Sequence, residues 1–112
     1  MLQVFMARPV SLKNGRSWPF QKDAIAHFRS ILSKYQDCER ISDSSDDSDL
    51  RALLARYDSL VPAGEPTKSG CGVDHFSREL NVGDGYATSG FHVHRIDGTS
   101  IDFSFYEAVK VK

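Results

Sequence analysis

The chain has 112 residues, 40% hydrophobic and 26% charged, with 14 Lys and Arg against 15 Asp and Glu for a net charge of −1. That length fits one domain, which buries roughly 65% of the surface of its unfolded chain and holds a core without metal or disulfide support. No apolar stretch nears the ~20 residues of a membrane span, and the charge balance argues against a phosphate-binding protein with one large basic face. Cys38 and Cys71 are expected as reduced thiols in a cytoplasmic protein.

In Met1–Leu12 the apolar residues precede Arg8, the reverse of the order in a secretory signal. A strand is expected near residues 2–6. The first 22 residues lack any acid, as organelle transit peptides do, yet turn chemistry describes them better. Asn14-Gly15 lies between Val10–Lys13 and Arg16–Trp18, and both turn residues accept positive φ, so a small hairpin over 9–18 with a two-residue type I′ loop is expected.

Ile25, Phe28, Leu32 and Tyr35 are spaced 3, 4 and 3 apart, which predicts a helix over 22–36. Phe20 is placed to staple onto Ile25, Pro19 lies outside the helix or in its first turn, and Arg29, Ser30, Ser33 and Lys34 face solvent. The acidic run Ser42–Asp49 invites a calcium-loop reading. Counting from Asp43, however, Ser48 stands where an EF-hand needs Gly and Leu54 where it needs Glu. A helix start explains the run, because Ser and Asp cap free N–H groups and acids favour the positive helix end. The helix is expected over 47–57, burying Leu50, Leu53, Leu54 and Tyr57.

Residues 58–70, with two Pro and two Gly, read as a loop. Lys68–Val73 has a superficial phosphate-loop look, but it reads better as a tight glycine turn leading into a strand. A strand over 71–79 follows, then a flexible glycine-containing turn over 80–90. Gly90–Arg95 and Ser100–Phe105 both alternate around Asp97-Gly98, a strong hairpin signal.

The register of that hairpin decides its surface. A two-residue loop would set His92 against Phe103 and mix apolar and polar groups on both faces. A three-residue loop at Ile96–Gly98 sets Phe91 against Phe103 and Val93 against Ile101, with Phe105 continuing the row, and sets His92 against Asp102 and His94 against Ser100. Burial selects the second register, since each fully buried side chain of this kind is worth about 1.5–3 kcal/mol. The loop it needs is a type I turn with a left-handed Gly98 at a G1 bulge. His92, His94, Ser100, Asp102 and Ser104 then share a polar face, with Asp102 placed to accept the His92 N–H and favour its protonated form.

Four readings of that face compete: a solvated surface; a nucleic-acid contact using His92, His94, Arg95, Asp102 and Lys68, with Arg16 and Trp18 at its margin; a metal site, with His92 and His94 as weak candidate ligands joined by His75, Cys71 or Asp102; and an acid–base enzyme such as a two-histidine nuclease. No nucleophile elbow, P-loop or Rossmann fingerprint occurs, so no catalytic residues are assigned.

The order of pieces is specific. Phe20-x-Lys22-x-Ala24-x-x-x-Phe28-x-x-Ile31-Leu32-x-x-Tyr35 precedes an acidic stretch and Asp49-Leu50-x-x-Leu53-Leu54. Lys68–Val73 follows, and then Phe91-x-Val93-x-Arg95-x-Asp97-Gly98-Thr99-x-x-Asp102-Phe103-Ser104-Phe105. Over about residues 16–110 this resembles the DCL family, named for the plant "defective chloroplasts and leaves" proteins. A related domain ends the largest subunit of the plant-specific RNA polymerase V, and many bacterial and phage members are uncharacterised. The Arg-x-Asp-Gly…Asp-Phe-Ser segment is its most specific part. The resemblance implies a small α+β domain tied to nucleic-acid metabolism, with a role like ribosomal RNA processing, and brings no catalytic residues with it; the chain looks like a stand-alone bacterial or phage-type member. The expectation is therefore a single α+β domain, two helices on one face of a largely antiparallel sheet ending in a hairpin. It is read as a non-catalytic module for RNA or a ribonucleoprotein, with no cofactor and no membrane. A nuclease and a protein-interaction module are the alternatives.

Overall fold

The computed structural model describes residues 9–111, so the strand expected near residues 2–6 lies outside the described residues. The order of elements is β1 (Val10–Ser11), β2 (Ser17–Trp18), α1 (Gln21–Ser33), β3 (Glu39–Arg40), α2 (Ser44–Asp58), β4 (Val73–Gly83), β5 (Tyr86–Arg95), β6 (Ser100–Phe103) and α3 (Phe105–Val109). β1 and β2 form a two-stranded ribbon, and β3-β4-β5-β6 form an antiparallel sheet in that order. The fold is the expected α+β arrangement, with a short third helix added.

The last hairpin has the register that burial selects. Phe91 faces Phe103, His92 faces Asp102, Val93 faces Ile101 and His94 faces Ser100. Gly98 sits at φ +89°, its N–H donating to the Arg95 carbonyl at 3.0 Å while Arg95 N–H donates to Thr99 at 2.8 Å. Phe76, Phe91, Val93 and Phe103 are at most 2% exposed and pack with Phe28, Ile31, Leu50, Leu53 and Leu54 of the helices into one core. Phe105 departs from the expected row. Ser104 takes an N-cap conformation and its hydroxyl accepts the Glu107 N–H at 3.2 Å, so the chain turns into α3 at Phe105.

The N-terminal hairpin corrects the expected loop type. Leu12 N–H donates to Arg16 O at 2.8 Å and Gly15 N–H to Leu12 O at 3.0 Å, which makes a three-residue loop, Lys13–Gly15, with only Gly15 at positive φ (+95°). This places Val10 and Leu12 together in the core, at 0% and 6% exposed; a one-residue slip would point them outward.

α1 runs over 21–33, and Tyr35, just past its end, is still buried. Phe20 is the N-cap residue and 40% exposed, so the expected staple onto Ile25 is not formed. A staple needs the residue before the cap, and that place belongs to Pro19. α2 starts at Ser44, three residues earlier than expected, with the Asp43 carboxylate accepting the Asp46 N–H at 2.9 Å.

The largest difference lies over 80–90. The segment is not a loose turn: β4 continues to Gly83 and β5 begins at Tyr86, leaving only Asp84-Gly85 between them. Gly85 takes φ +78° and the Tyr86 ring lies over Gly83, where a Cβ would come within 2.3 Å of it. The resulting ribbon outruns both neighbouring strands and leaves Leu80, Val82 and Tyr86 more than half exposed.

Candidate functional site

Because the helices cover the side of the sheet bearing Phe76, Phe91, Val93 and Phe103, strand alternation puts His75, Ser77, Glu79 and Asn81 of β4 on the opposite side. His92 and His94 of β5 and Ser100 and Asp102 of β6 join them there through the observed register. Arg40 of β3 pairs with Ser77 and stands at the same face.

At the centre His75 and His94 stack face to face, ring centroids 4.2 Å apart and planes 5° from parallel. His75 Nδ1 lies 2.6 Å from the Asp74 carboxylate, and that contact holds the Asp74 pKa below its usual range. His94 Nε2 lies 2.7 Å from the buried Ser77 hydroxyl, which donates to Glu79 at 2.6 Å. With the Ser77 proton on Glu79, His94 donates its Nε2–H to the serine. Burial, followed by the neighbouring His75, lowers the His94 pKa, and a neutral ring of that tautomer suits the chain of bonds.

His92 corrects an expectation. It faces Asp102 across the strands, but its Nε2 lies 2.8 Å from Asn81 Oδ1 and donates there. Gly90, between them on β5, has no side chain to obstruct the approach, and a Cβ there would sit 3.3 Å from Asn81 Nδ2. The Asp102 side chain is exposed, while its carbonyl accepts the Lys68 ammonium at 2.9 Å.

The other expected residues divide. Lys68 stands at the β6 edge of the face, its ammonium also 5.7 Å from the Tyr57 ring centroid. Arg95 is engaged in shaping the loop before β4, donating to Lys68 O at 2.9 Å and to Thr99 Oγ1 at 3.2 Å. Gly70 makes room for it, since a Cβ there would come within 2.8 Å of its Nε. The Lys68–Val73 segment is thus the glycine turn leading into β4, further held by the Asp58 carboxylate accepting the Lys68 and Ser69 N–H groups.

Arg16 and Trp18 do not belong to this face. Trp18 packs on His27 and Phe28 of α1 at 5.1 and 5.8 Å, and Arg16 reaches Asp49 of α2 at 3.3 Å. Asp49, only 2% exposed, also accepts from Asn14 at 2.9 Å and His27 at 2.8 Å. The sequence reading missed this cluster. Its signal was an acid at the same helical face as Leu50 and Leu53, where a solvated cap residue would not sit. Asp46 is similar, accepting from Tyr35 at 2.8 Å and Lys34 at 2.7 Å.

A cleft of about 480 Å³ between α2 and the loop before β4 contains Arg51 and Asp58. Both already serve the fold: Arg51 binds Asp47 and the carbonyls of Val73 and Asp74. Among the described residues no group of three or more His, Cys, Asp or Glu side chains is placed to hold a metal, and no helix is long and apolar enough to cross a membrane.

The profile of the family described as "Protein of unknown function (DUF3223)" matches residues 29–109. The chain belongs to this family. The matched DUF3223 segment contains the whole four-stranded sheet and α2, and it leaves out the N-terminal hairpin with Arg16 and Trp18. A solution NMR structure of an uncharacterised Rhodospirillum rubrum protein is similar, with a TM-score of 0.71, 24% identity, and coverage of 94% of this chain and 91% of that one. The likeness is one of fold. Comparison with curated proteins gives no match.

Proposed function

We propose that this DUF3223 chain is a non-catalytic module that binds single-stranded RNA, alone or within a ribonucleoprotein, on the polar face of β3–β6. The observation that carries the reading is the stacked pair His75 and His94 on a sheet face turned away from the helices. Imidazole planes stack with unpaired bases, and antiparallel sheets are a recurrent platform for them. Arg40, opposite Ser77, stands next to the stack and Lys68 lies at the β6 edge of the sheet, each a cationic group for phosphate, and Ser100 faces His94. The DCL resemblance of the Arg-x-Asp-Gly…Asp-Phe-Ser segment points toward nucleic acid as well.

The test is anisotropy of a labelled single-stranded RNA against salt. Two phosphate contacts give a slope of log affinity on log salt of about −1.4, and His75→Ala/His94→Ala weakens binding about tenfold through lost stacking. Absence of binding at low salt, or binding indifferent to both salt and the double substitution, refutes the reading.

A further inference from the structure

Beyond the end of β6 the sheet has a lane with no strand in it among the described residues. β6 stops at Phe103, opposite Phe91, whereas β5 reaches back to Tyr86. The bond from Arg95 N–H to Thr99 O makes those two a hydrogen-bonded pair, so odd-numbered residues of β5 turn their N–H and C=O toward β6. β5 keeps its register on β4 without a shift down to Tyr86. Ser89 therefore presents one N–H and one C=O to the lane.

At the head of the lane, where the chain leaves for α3, lies a cleft of about 190 Å³. Phe91, Phe103 and Phe105 line it on the core side, with Asn81, Asp102 and Ser104 among the polar groups. The Asp102 carboxylate has no hydrogen bond among the described residues, and the main chain of the same residue holds the Lys68 ammonium at 2.9 Å. An ionised carboxylate has only acceptors, so it selects a planar edge with two adjacent N–H donors. Guanine offers that pair at N1–H and its exocyclic amine; adenine, cytosine and uracil do not.

We infer that this cleft is a pocket for one unstacked guanine base. Asp102 takes the Watson–Crick edge, Ser89 the main-chain contact, and the partly exposed Phe105 the ring. The inference rests on the RNA reading by naming the base that the same face selects.

The full chain, labelled with ¹⁵N, is titrated with guanosine, adenosine, cytidine and uridine 5′-monophosphates. Guanosine monophosphate should bind about tenfold tighter than the others and move the amide signals of Ser89, Gly90 and Asp102. Asp102→Asn, at an exposed position where the spectrum confirms an intact fold, should abolish that preference. Equal binding of all four, a preference that survives Asp102→Asn, or displacement only by methylguanidinium (an arginine pocket) overturns the inference. Salt-dependent RNA binding without base preference removes the guanine pocket and leaves the RNA reading standing. Selective guanosine monophosphate binding without RNA binding does the reverse.

Discussion

Two polar clusters made from the same residue types sit on opposite layers of this molecule. Around Asp49, three donors from the N-terminal hairpin and α1 converge on one buried carboxylate. On the far side of the sheet His75, Ser77, Glu79 and His94 are joined to one another, while Arg40 and the Asp102 carboxylate stay exposed beside them. The first cluster spends its hydrogen-bonding capacity on holding β1–β2 against the helices. The second keeps capacity for something outside the chain. A histidine beside a carboxylate is therefore uninformative by itself; what separates structure from binding is whether the surrounding donors and acceptors are already matched.

The sharpest way to break this contrast is to remove the centre of each cluster. Asp49→Ala should cost about 3 kcal/mol in urea unfolding, because it strands His27 and Asn14 in a part-buried site, and should leave RNA affinity per folded molecule unchanged. The His75→Ala/His94→Ala variant should lose less than ~1 kcal/mol. Comparable losses from both would mean that the sheet-face cluster is structural too.

The two hairpins that deliver these groups share a loop geometry. Gly15→Ala and Gly98→Ala should each cost about 1–2 kcal/mol by forcing a side chain into the left-handed region, as both positions have positive φ and open space around a Cβ. Neither substitution should change the fold seen by circular dichroism. A neutral result at Gly15 would restore the two-residue turn there.

The smallest effect is on pH dependence. With the His94 pKa depressed by burial and then by His75, the unfolded chain takes up a proton that the folded one resists. Stability is full above the ordinary histidine value and falls as pH drops below about 6.5. His94→Gln should flatten that slope in denaturant titrations at pH 7 and 5. An unchanged slope would place the pH sensitivity in a group other than His94.

Much of this architecture was legible because period and burial agree. Phe28, Ile31, Leu50, Leu53 and Leu54 mark the helices, and two apolar cross-strand pairings, Phe91 with Phe103 and Val93 with Ile101, left one admissible register for the last hairpin. Where small residues dominate, as at Gly83–Gly85 and Ser89-Gly90, alternation has little to show, and a tight two-residue turn reads like a loose loop. The Ser104…Glu107 capping pair was visible in the sequence, but the aromatic at Phe105 also suited a continuing strand. For the candidate site, strand alternation placed His92, His94 and Asp102 on one face correctly. It could not place His75, whose strand carries a register shift between Val73 and His75, nor show that Gly90 lets His92 lean past Asp102's row to Asn81.

The overhanging end of the β4–β5 ribbon carries a practical consequence. Its last rungs contribute little to the core, and the Asp84-Gly85 connection can be cut, lengthened or replaced by a reporter peptide with the remainder of the chain intact. A fluorophore carried there would sit at the mouth of the lane beside β5, where arrival of a ligand changes its surroundings without any alteration of the residues that do the binding.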